Sequence, residues 1–513
     1  MKAIILFLFL ISSAKCFSQN YSSTIFNIIL IPKFAGLDEK VKLAASVKPS
    51  DRQIKWQEQE LTFFMHFGVN TFTDREWGRK QDDSKEFNPA ALDLNQWART
   101  VKEAGGKTMI VLAKHHDGFC YWQTKYTDYS VKNSPWKNGA GDIIAEAADA
   151  CRRHDISLGI YLSPWDIVSP IYGTEEYNEH FRNQLRELLT NYGRIAEVWF
   201  DGACGEGPNG KKQIYDWHSY YRLIRELQPE AVIAVMGPDI RWVGTESGEG
   251  RKTEWSVLPI SAADMNETAE ASQKSENSST FIPKNMMDDD LGSREKLKNA
   301  GGLIWYPSEV DVSIRPGWFY HQNEDSLVKS AQKLLDIYFT SVGMNSVLLL
   351  NTPADKRGLI HENDIKSLRA WRNILDETFK INFADNAVIS CSGGDKGQNT
   401  ASMIDNNNQT YWKNAENLTT ASIELKLDQK RLFDCLMLQE NFRNGQRVEE
   451  FNLEAWVNNR WEIISDGTTI GYKRLLCFPP ILTDKVRINI LGSRAAPEIA
   501  SIGLYKIFDM IDK

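Results

Sequence analysis

Seven short apolar runs recur between Leu61 and Pro353: "LTFFMHFG", "KTMIVLAKHHDG", "ISLGIYLSP", "AEVWFDG", "AVIAVMG", "GGLIWYP" and "SVLLLNTP". Each is continuously apolar rather than alternating, as expected of parallel strands covered on both faces. Amphipathic stretches stand between them. Leu94, Trp97, Val101 and Ala104 follow Asp93 at helical spacing, and Ile143, Ile144, Ala147, Ala148 and Cys151 follow Asp142. Tyr177, Phe181, Leu185, Leu188 and Tyr192 run up to Gly193. The two aspartates are expected N-caps and the glycine an expected C-cap. Strand followed by helix, repeated over this length, predicts a (β/α)8 TIM-like barrel. An open doubly wound sheet is the rival, but no GxGxxG follows the first strand. An eighth strand is required between Asp239 and Ile260, where "RWVGTESG" and "TEWSVLPI" compete. Residues 261–300 are polar and aperiodic and read as a long rim loop.

Past a helix expected from about Glu362 to Thr378 the pattern changes. "ASIELKL", "NLEAWV" and "KVRINIL" alternate and are separated by Asn, Gly and Asp turns. That is the pattern of an antiparallel β-sandwich. At the other end, one lysine and the apolar run Ala3 to Ile11 precede small and polar residues. The run is too short for a bilayer of about 30 Å and fits a secretory signal peptide. The expected organisation is a leader at 1–18, a lead-in at 19–50, a barrel at 51–380 and a sandwich at 385–513. Export to the periplasm or medium follows from the leader; a lipid anchor on Cys16 is the less favoured form, because Lys15 suits a lipoprotein cleavage site poorly.

The 513 residues carry a net charge of −8 with no long basic run, which argues against nucleic acid and anionic membrane as partners. No membrane span and no obligate protein partner are implied. Beyond Cys16 the six cysteines are scattered without a CxxC, so no zinc ribbon or disulfide framework is indicated. Sixteen Trp and seventeen Tyr offer flat faces of the kind that pack on small polar ligands.

Residues at the C-terminal ends of barrel strands converge on one site. Those ends place His66, His115, His116, Asp117, Tyr161 and Asp201 together, with Trp305, Tyr306, Glu309 and Asp311 as a further cluster. Asp201 ends a strand that otherwise reads as buried, a rigid and partly desolvated place suited to a nucleophile; capping the turn at Gly202 is the plainer alternative. Glycoside hydrolysis needs a second carboxyl group with a raised pKa, and Glu206, Glu246, Glu249 and Glu254 are the candidates that spacing leaves open. A zinc hydrolase built on "KHHD" is disfavoured, since neither HxH nor HExxH occurs. No metal and no cofactor are expected.

"FFMHFGVNTFTDREWG", "VLAKHHDGFCYW", "LGIYLSPWD", "EVWFDGACG" and "SIRPGWFYH" together resemble the α-L-fucosidases of glycoside hydrolase family 29, in order over about residues 50–350. The resemblance implies a barrel followed by a β-sandwich and a metal-free, retaining double displacement. On it, Asp201 corresponds to the nucleophile, and His66, Trp77, His115 and His116 to groups that hold the fucose. Tyr161 matches less closely, because the family often has a second Tyr or Ser where Leu162 and Ser163 stand. "RWVGTESGEGRKTEWS" resembles the subgroup that cleaves α-1,3 and α-1,4 branches, with Glu246 as acid/base and Glu254 as second choice. "SIRPGWFYH" points to the same subgroup and implies that Arg315 and Trp318 line the sugar pocket. The substrates implied are fucosylated oligosaccharides or glycoconjugates. A non-catalytic glycan-binding protein on the same scaffold, or a glycosidase for α-L-galactose, are the alternatives. "TASMIDNNNQTYWKNAENLTTASIELKL" resembles the discoidin-like, galactose-binding-like sandwich, where Trp412 is expected in the core rather than as a sugar platform. Asn/Asp-rich turns such as that at Asp405 ordinarily need no calcium.

Overall fold

The computed structural model describes residues 27–79, 82–263, 289–393 and 399–509. The expected leader at 1–18 and residues 264–288 of the expected rim loop lie outside them. Eight parallel strands form the barrel: Leu61–Met65, Thr108–Lys114, Ser157–Leu162, Glu197–Phe200, Val232–Val235, Arg241–Trp242, Ser308–Ser313 and Val347–Asn351. Seven neighbouring pairs are hydrogen-bonded ladders, and the fifth and sixth strands meet through a single bridge, Ala234 to Ile240. The barrel is thus nearly closed. Its strands are buried along almost their whole length, which is why the sequence runs apolar there without alternation.

Two strand expectations are corrected. "GGLIWYP" is not in the barrel: Gly302–Trp305 pairs antiparallel with Ile28–Leu30 and Val257–Pro259 in a small side sheet. The seventh barrel strand is Ser308–Ser313, "SEVDVS", whose Glu309 and Asp311 disguise it as half-exposed although every residue is buried. Of the two competitors for the remaining strand, "RWVGTESG" supplies the barrel with Arg241–Trp242, and "TEWSVLPI" goes to the side sheet.

Helices Leu94–Glu103, Ile143–His154, Glu175–Asn191, Trp217–Leu227, Ala331–Thr340 and Glu362–Phe379 follow six of the eight strands. Asp93 and Asp142 cap the first two, accepting backbone N–H groups of the first turn. Between the fifth and sixth strands no helix intervenes. Residues 236–240 make the connection, with Val235 at φ 61°, a costly conformation for a β-branched residue. Asp239 ties this turn down. Its Oδ2 accepts the Ile233 N–H at 2.8 Å, and Arg52 and Arg225 hold the carboxylate.

The C-terminal domain is an antiparallel sheet of seven strands dominated by Ala421–Glu440 and Arg474–Ser493. Trp412 is 1% exposed in its core. Asp405 closes its own turn, accepting from Asn407 N and Thr410 Oγ1. Among the described residues all six cysteines are unbridged.

The domain is seated on the barrel by buried polar contacts. Gln446 Oε1 accepts the Ser256 N–H at 2.7 Å, its Nε2 donates to the Glu254 carbonyl at 2.9 Å, and Thr469 Oγ1 accepts the Glu254 N–H at 3.0 Å. Gly471, at φ +64°, passes so close to Asn345 that a Cβ would lie 2.2 Å from its Oδ1. Glu60, at the start of the first barrel strand, accepts from Tyr338 Oη, Tyr472 Oη and Lys473 Nζ.

Burial works to raise the Glu60 pKa, but Lys473 and the two phenols outweigh it and hold the carboxyl below the usual value. A lowered folded-state pKa adds stability that is present above the unfolded value of about 4.3 and is lost as pH falls through the folded one. The Tm deficit of Glu60→Gln is therefore expected to be largest near neutral pH and to shrink below about pH 4, as read by thermal unfolding across a pH series. An equal deficit at every pH would remove the charge from this account.

Candidate active site

One cavity opens at the C-terminal ends of the barrel strands. It is lined by Phe64, His66, Glu76, Trp77, His115, His116, Tyr161, Trp199, Asp201, Glu246, Asp311, Trp318 and Phe319. The strand ends bring in residues scattered over more than 250 positions, as the barrel geometry dictates.

Asp201 follows the fourth strand directly. Its Oδ2 accepts from Tyr161 Oη at 2.8 Å and its Oδ1 from the Ala203 N–H at 2.7 Å, so the turn-capping role and the pocket position belong to the same carboxylate. His116 Nε2 lies 3.7 Å from Oδ2. Tyr161 is held flat between Trp199 and His115, with ring centroids at 5.3 and 5.7 Å. The register slips between Leu112 and Lys114 at the end of the second strand, and the two successive histidines beyond it both reach the cavity, their rings 4.2 Å apart.

Each histidine is anchored through Nδ1. His66 Nδ1 is 2.8 Å from Asn351 Oδ1, His116 Nδ1 is 2.7 Å from Ser163 Oγ, and Asn70 Nδ2 approaches His115 Nδ1 at 3.5 Å. Ser163 Oγ gives its proton to the Trp165 carbonyl at 2.8 Å, so it accepts from His116 Nδ1–H. Neutral His116 then presents a bare Nε2 toward Asp201. Burial depresses all three imidazoles, His66 to about 4, so they are neutral at ordinary pH.

Glu246 reaches the cavity from the loop after the sixth strand. Its side chain is exposed at the cavity mouth, yet the protein packed around it displaces enough water to raise its pKa; the Trp318 indole, donating to Oε2 at 3.1 Å, pulls it down, and Asp201 and Glu76 push it up again. The net direction is upward, as a proton donor requires. The other glutamates are elsewhere. Glu254 is 1% exposed and paired with Arg241 and Arg251. Glu206 is exposed, and Glu249 lines a separate depression with Arg251 and Lys252.

Three further expectations are corrected. Arg315 does not line the cavity: fully buried, it spends its guanidinium on Asp364 (2.8 Å) and Asp325 (3.0 Å) and lies over the Tyr320 ring. Trp305 and Tyr306 belong to the side sheet, where their polar atoms bond Gln57 and the Gly237 carbonyl. Asp117 caps the Phe119 N–H instead of entering the pocket, and burial lifts it to about 7.

Sequence reasoning had missed Glu76 and Asn351 as site residues. Glu76 accepts from the Trp318 and Phe319 N–H groups and from His321 Nε2, while His321 Nδ1 bonds Asp74. Burial opposes protonation of His321, but the two carboxylates prevail and hold its pKa above the ordinary value. This clasp ties the loop bearing Trp77 to the loop bearing Trp318. Trp77, 41% exposed, packs its ring against His116 and Trp165. The only sequence cue was that "DREW" and "RPGWFYH" each join charge to aromatic residues after a strand.

Residues 51–377 match the family described as Alpha-L-fucosidase, and residues 387–503 match the F5/8 type C domain. Alpha-L-fucosidase 1 of Arabidopsis thaliana is 40% identical over 89% of this chain and 87% of its own length. A Bacteroides ovatus crystal structure assigned as an α-L-fucosidase is 46% identical, covering 94% of this chain and 78% of that one, with a TM-score of 0.83. A Ruminococcus gnavus GH29 fucosidase, solved in complex with fucose, is 31% identical over 90% of this chain and 96% of its own, with a TM-score of 0.79.

Replacing Arg315 with Met would leave the buried Asp364 carboxyl without its partner in the interior. Breaking a buried pair this way costs about 3–5 kcal/mol. Chemical denaturation is expected to show that loss, with KM for the sugar substrate little changed; a variant of native stability that instead loses substrate affinity would put Arg315 back in the pocket.

Proposed function

The chain belongs to the α-L-fucosidase family, and from that premise we propose that it is an exo-acting, retaining enzyme in which Asp201 attacks and Glu246 serves as acid and base. The observation that carries this reading is that the two carboxyl groups line one small cavity in unlike surroundings. Asp201 is held by a phenol and a backbone N–H at the end of a rigid strand. Glu246 sits on a loop under an indole with its pKa raised. Asp201 is thereby suited to attack the anomeric carbon, while Glu246 protonates the departing oxygen. In the second step Glu246, now ionised, takes a proton from water, and the glycosyl ester on Asp201 is hydrolysed.

The remaining lining suits a 6-deoxy sugar. His116 Nε2 and Asp201 Oδ2, both acceptors 3.7 Å apart, call for a donor between them, which a sugar hydroxyl supplies. Phe64, Trp199, Trp318 and Phe319 give apolar surface for C–H faces and the methyl group. The fucose held by the Ruminococcus gnavus relative supports the same choice of sugar. Selectivity for α-1,3 and α-1,4 branches is proposed from the sequence around Glu246, which resembles that subgroup. Export is proposed from the leader-like residues 1–18.

Asp201→Ala is expected to remove turnover while binding of fucose, read by calorimetry, persists; unchanged turnover would exclude Asp201 as nucleophile. Glu246→Ala is expected to slow glycans by about 10²–10⁴-fold, while aryl fucosides, whose leaving groups need little protonation, are slowed far less. Equal loss on both would reassign the acid. Wild-type enzyme given an aryl α-L-fucoside, 2′-fucosyllactose and Lewis trisaccharides is expected to prefer the Lewis substrates and to release fucose first as the α anomer, followed by NMR. A β first product would overturn the double displacement.

A further inference from the structure

Asn351 ends the eighth strand, fully buried, and touches three parts of the site at once. Its Nδ2 donates to the Trp318 carbonyl at 2.8 Å and to Ser313 Oγ at 2.9 Å. The Ser313 hydroxyl proton is already committed to the Gly317 carbonyl at 2.7 Å, so Ser313 Oγ can only accept from Asn351. Both amide protons therefore face acceptors, and the amide has one orientation. Its Oδ1 then faces His66, accepting the His66 backbone N–H at 3.3 Å and lying 2.8 Å from Nδ1. An amide oxygen cannot donate, so Nδ1 must carry the imidazole proton.

From this geometry we infer that Asn351 is a positioning residue that locks His66 in the Nδ1–H tautomer and so leaves Nε2 as a hydrogen-bond acceptor for a substrate hydroxyl. The same amide anchors the carbonyl of Trp318, whose indole bonds Glu246. Asn351 thus couples the tautomer on the sugar side to the seat of the acid/base residue. No charge is placed beside His66 in doing so. A carboxylate in the same place would accept the Nδ1 proton equally well, but it would favour the imidazolium, which has no acceptor. It would also set an oxygen against the Trp318 carbonyl.

The role in substrate recognition rests on the fucosidase reading; the tautomer does not. Long-range ¹H–¹⁵N correlation spectra of unliganded, histidine-labelled wild-type protein, with His66 assigned by its loss in His66→Gln, are expected to show a protonated Nδ1 and a bare Nε2. A protonated Nε2 would overturn the inference whether or not the enzyme cleaves fucosides. In Asn351→Leu the His66 signals are expected to move toward a tautomer mixture, with kcat/KM for an aryl α-L-fucoside reduced by about 5- to 10-fold, the factor that corresponds to the loss of about one hydrogen bond. In Asn351→Asp the His66 pKa, read from its imidazole ¹⁵N shifts across a pH series, is expected to rise, because the new carboxylate favours the imidazolium. A folded Asn351→Leu with the wild-type tautomer and undiminished kcat/KM, or an Asn351→Asp variant with an unmoved His66 pKa, would overturn it.

Discussion

Four acidic side chains in the barrel and at its mouth have indole N–H groups, not cations, as their hydrogen-bond donors, and the site depends on that choice. Trp56 donates to Glu197, Trp199 to Glu309, Trp242 to Asp311 and Trp318 to Glu246, at 2.7–3.2 Å. A hydrogen bond to a charged group is worth about 1.5–3 kcal/mol, whereas taking a carboxylate out of water costs several. The indole satisfies a lone pair without making the anion favourable, so desolvation, aided for Glu309, Asp311 and Glu246 by neighbouring carboxylates, wins and all four carboxyl groups are shifted upward. An arginine in any of those places would have driven its partner to a permanent anion. Four of the sixteen tryptophans thus keep acids protonatable in and around the barrel, and of their four partners Asp311 and Glu246 line the cavity, with Glu246 at its rim.

The histidines follow the complementary logic. Buried and neutral, they have one nitrogen fixed by a neighbour and the other free to meet a ligand. Serine and asparagine at strand ends do the fixing, neutral groups that set direction without setting charge. His321, outside the pocket, is by contrast clasped by two carboxylates, and there the task is to join two loops.

Much of this was legible in the chain. Six barrel strands and their capped helices follow from apolar runs and Asp caps, and Asp201, the three histidines and Tyr161 follow from strand ends. What stayed hidden has a common cause. "SEVDVS" carries two carboxyls that only tertiary indole donors make tolerable in a core, so the local pattern pointed to "GGLIWYP" instead. The two-residue strand Arg241–Trp242 is too short to leave a period. Arg315 shares a motif with Trp318, yet faces a helix some fifty residues downstream, and spacing cannot show which way a side chain turns. Asn351 reads as the polar end of an apolar run; its importance lies in what its amide meets across three strands.

The helix-free passage from the fifth strand to the sixth separates the two reacting carboxyl groups in an architectural sense. Asp201 stands on a strand braced by a helix on its outer side, whereas Glu246 follows a strand of two residues and a loop tied down by individual side-chain contacts. Insertions and deletions in the latter segment could relocate the proton donor while the sugar cradle stayed intact. Descendants of such a scaffold would be free to diversify in which glycosidic linkage they open long before they changed which monosaccharide they release.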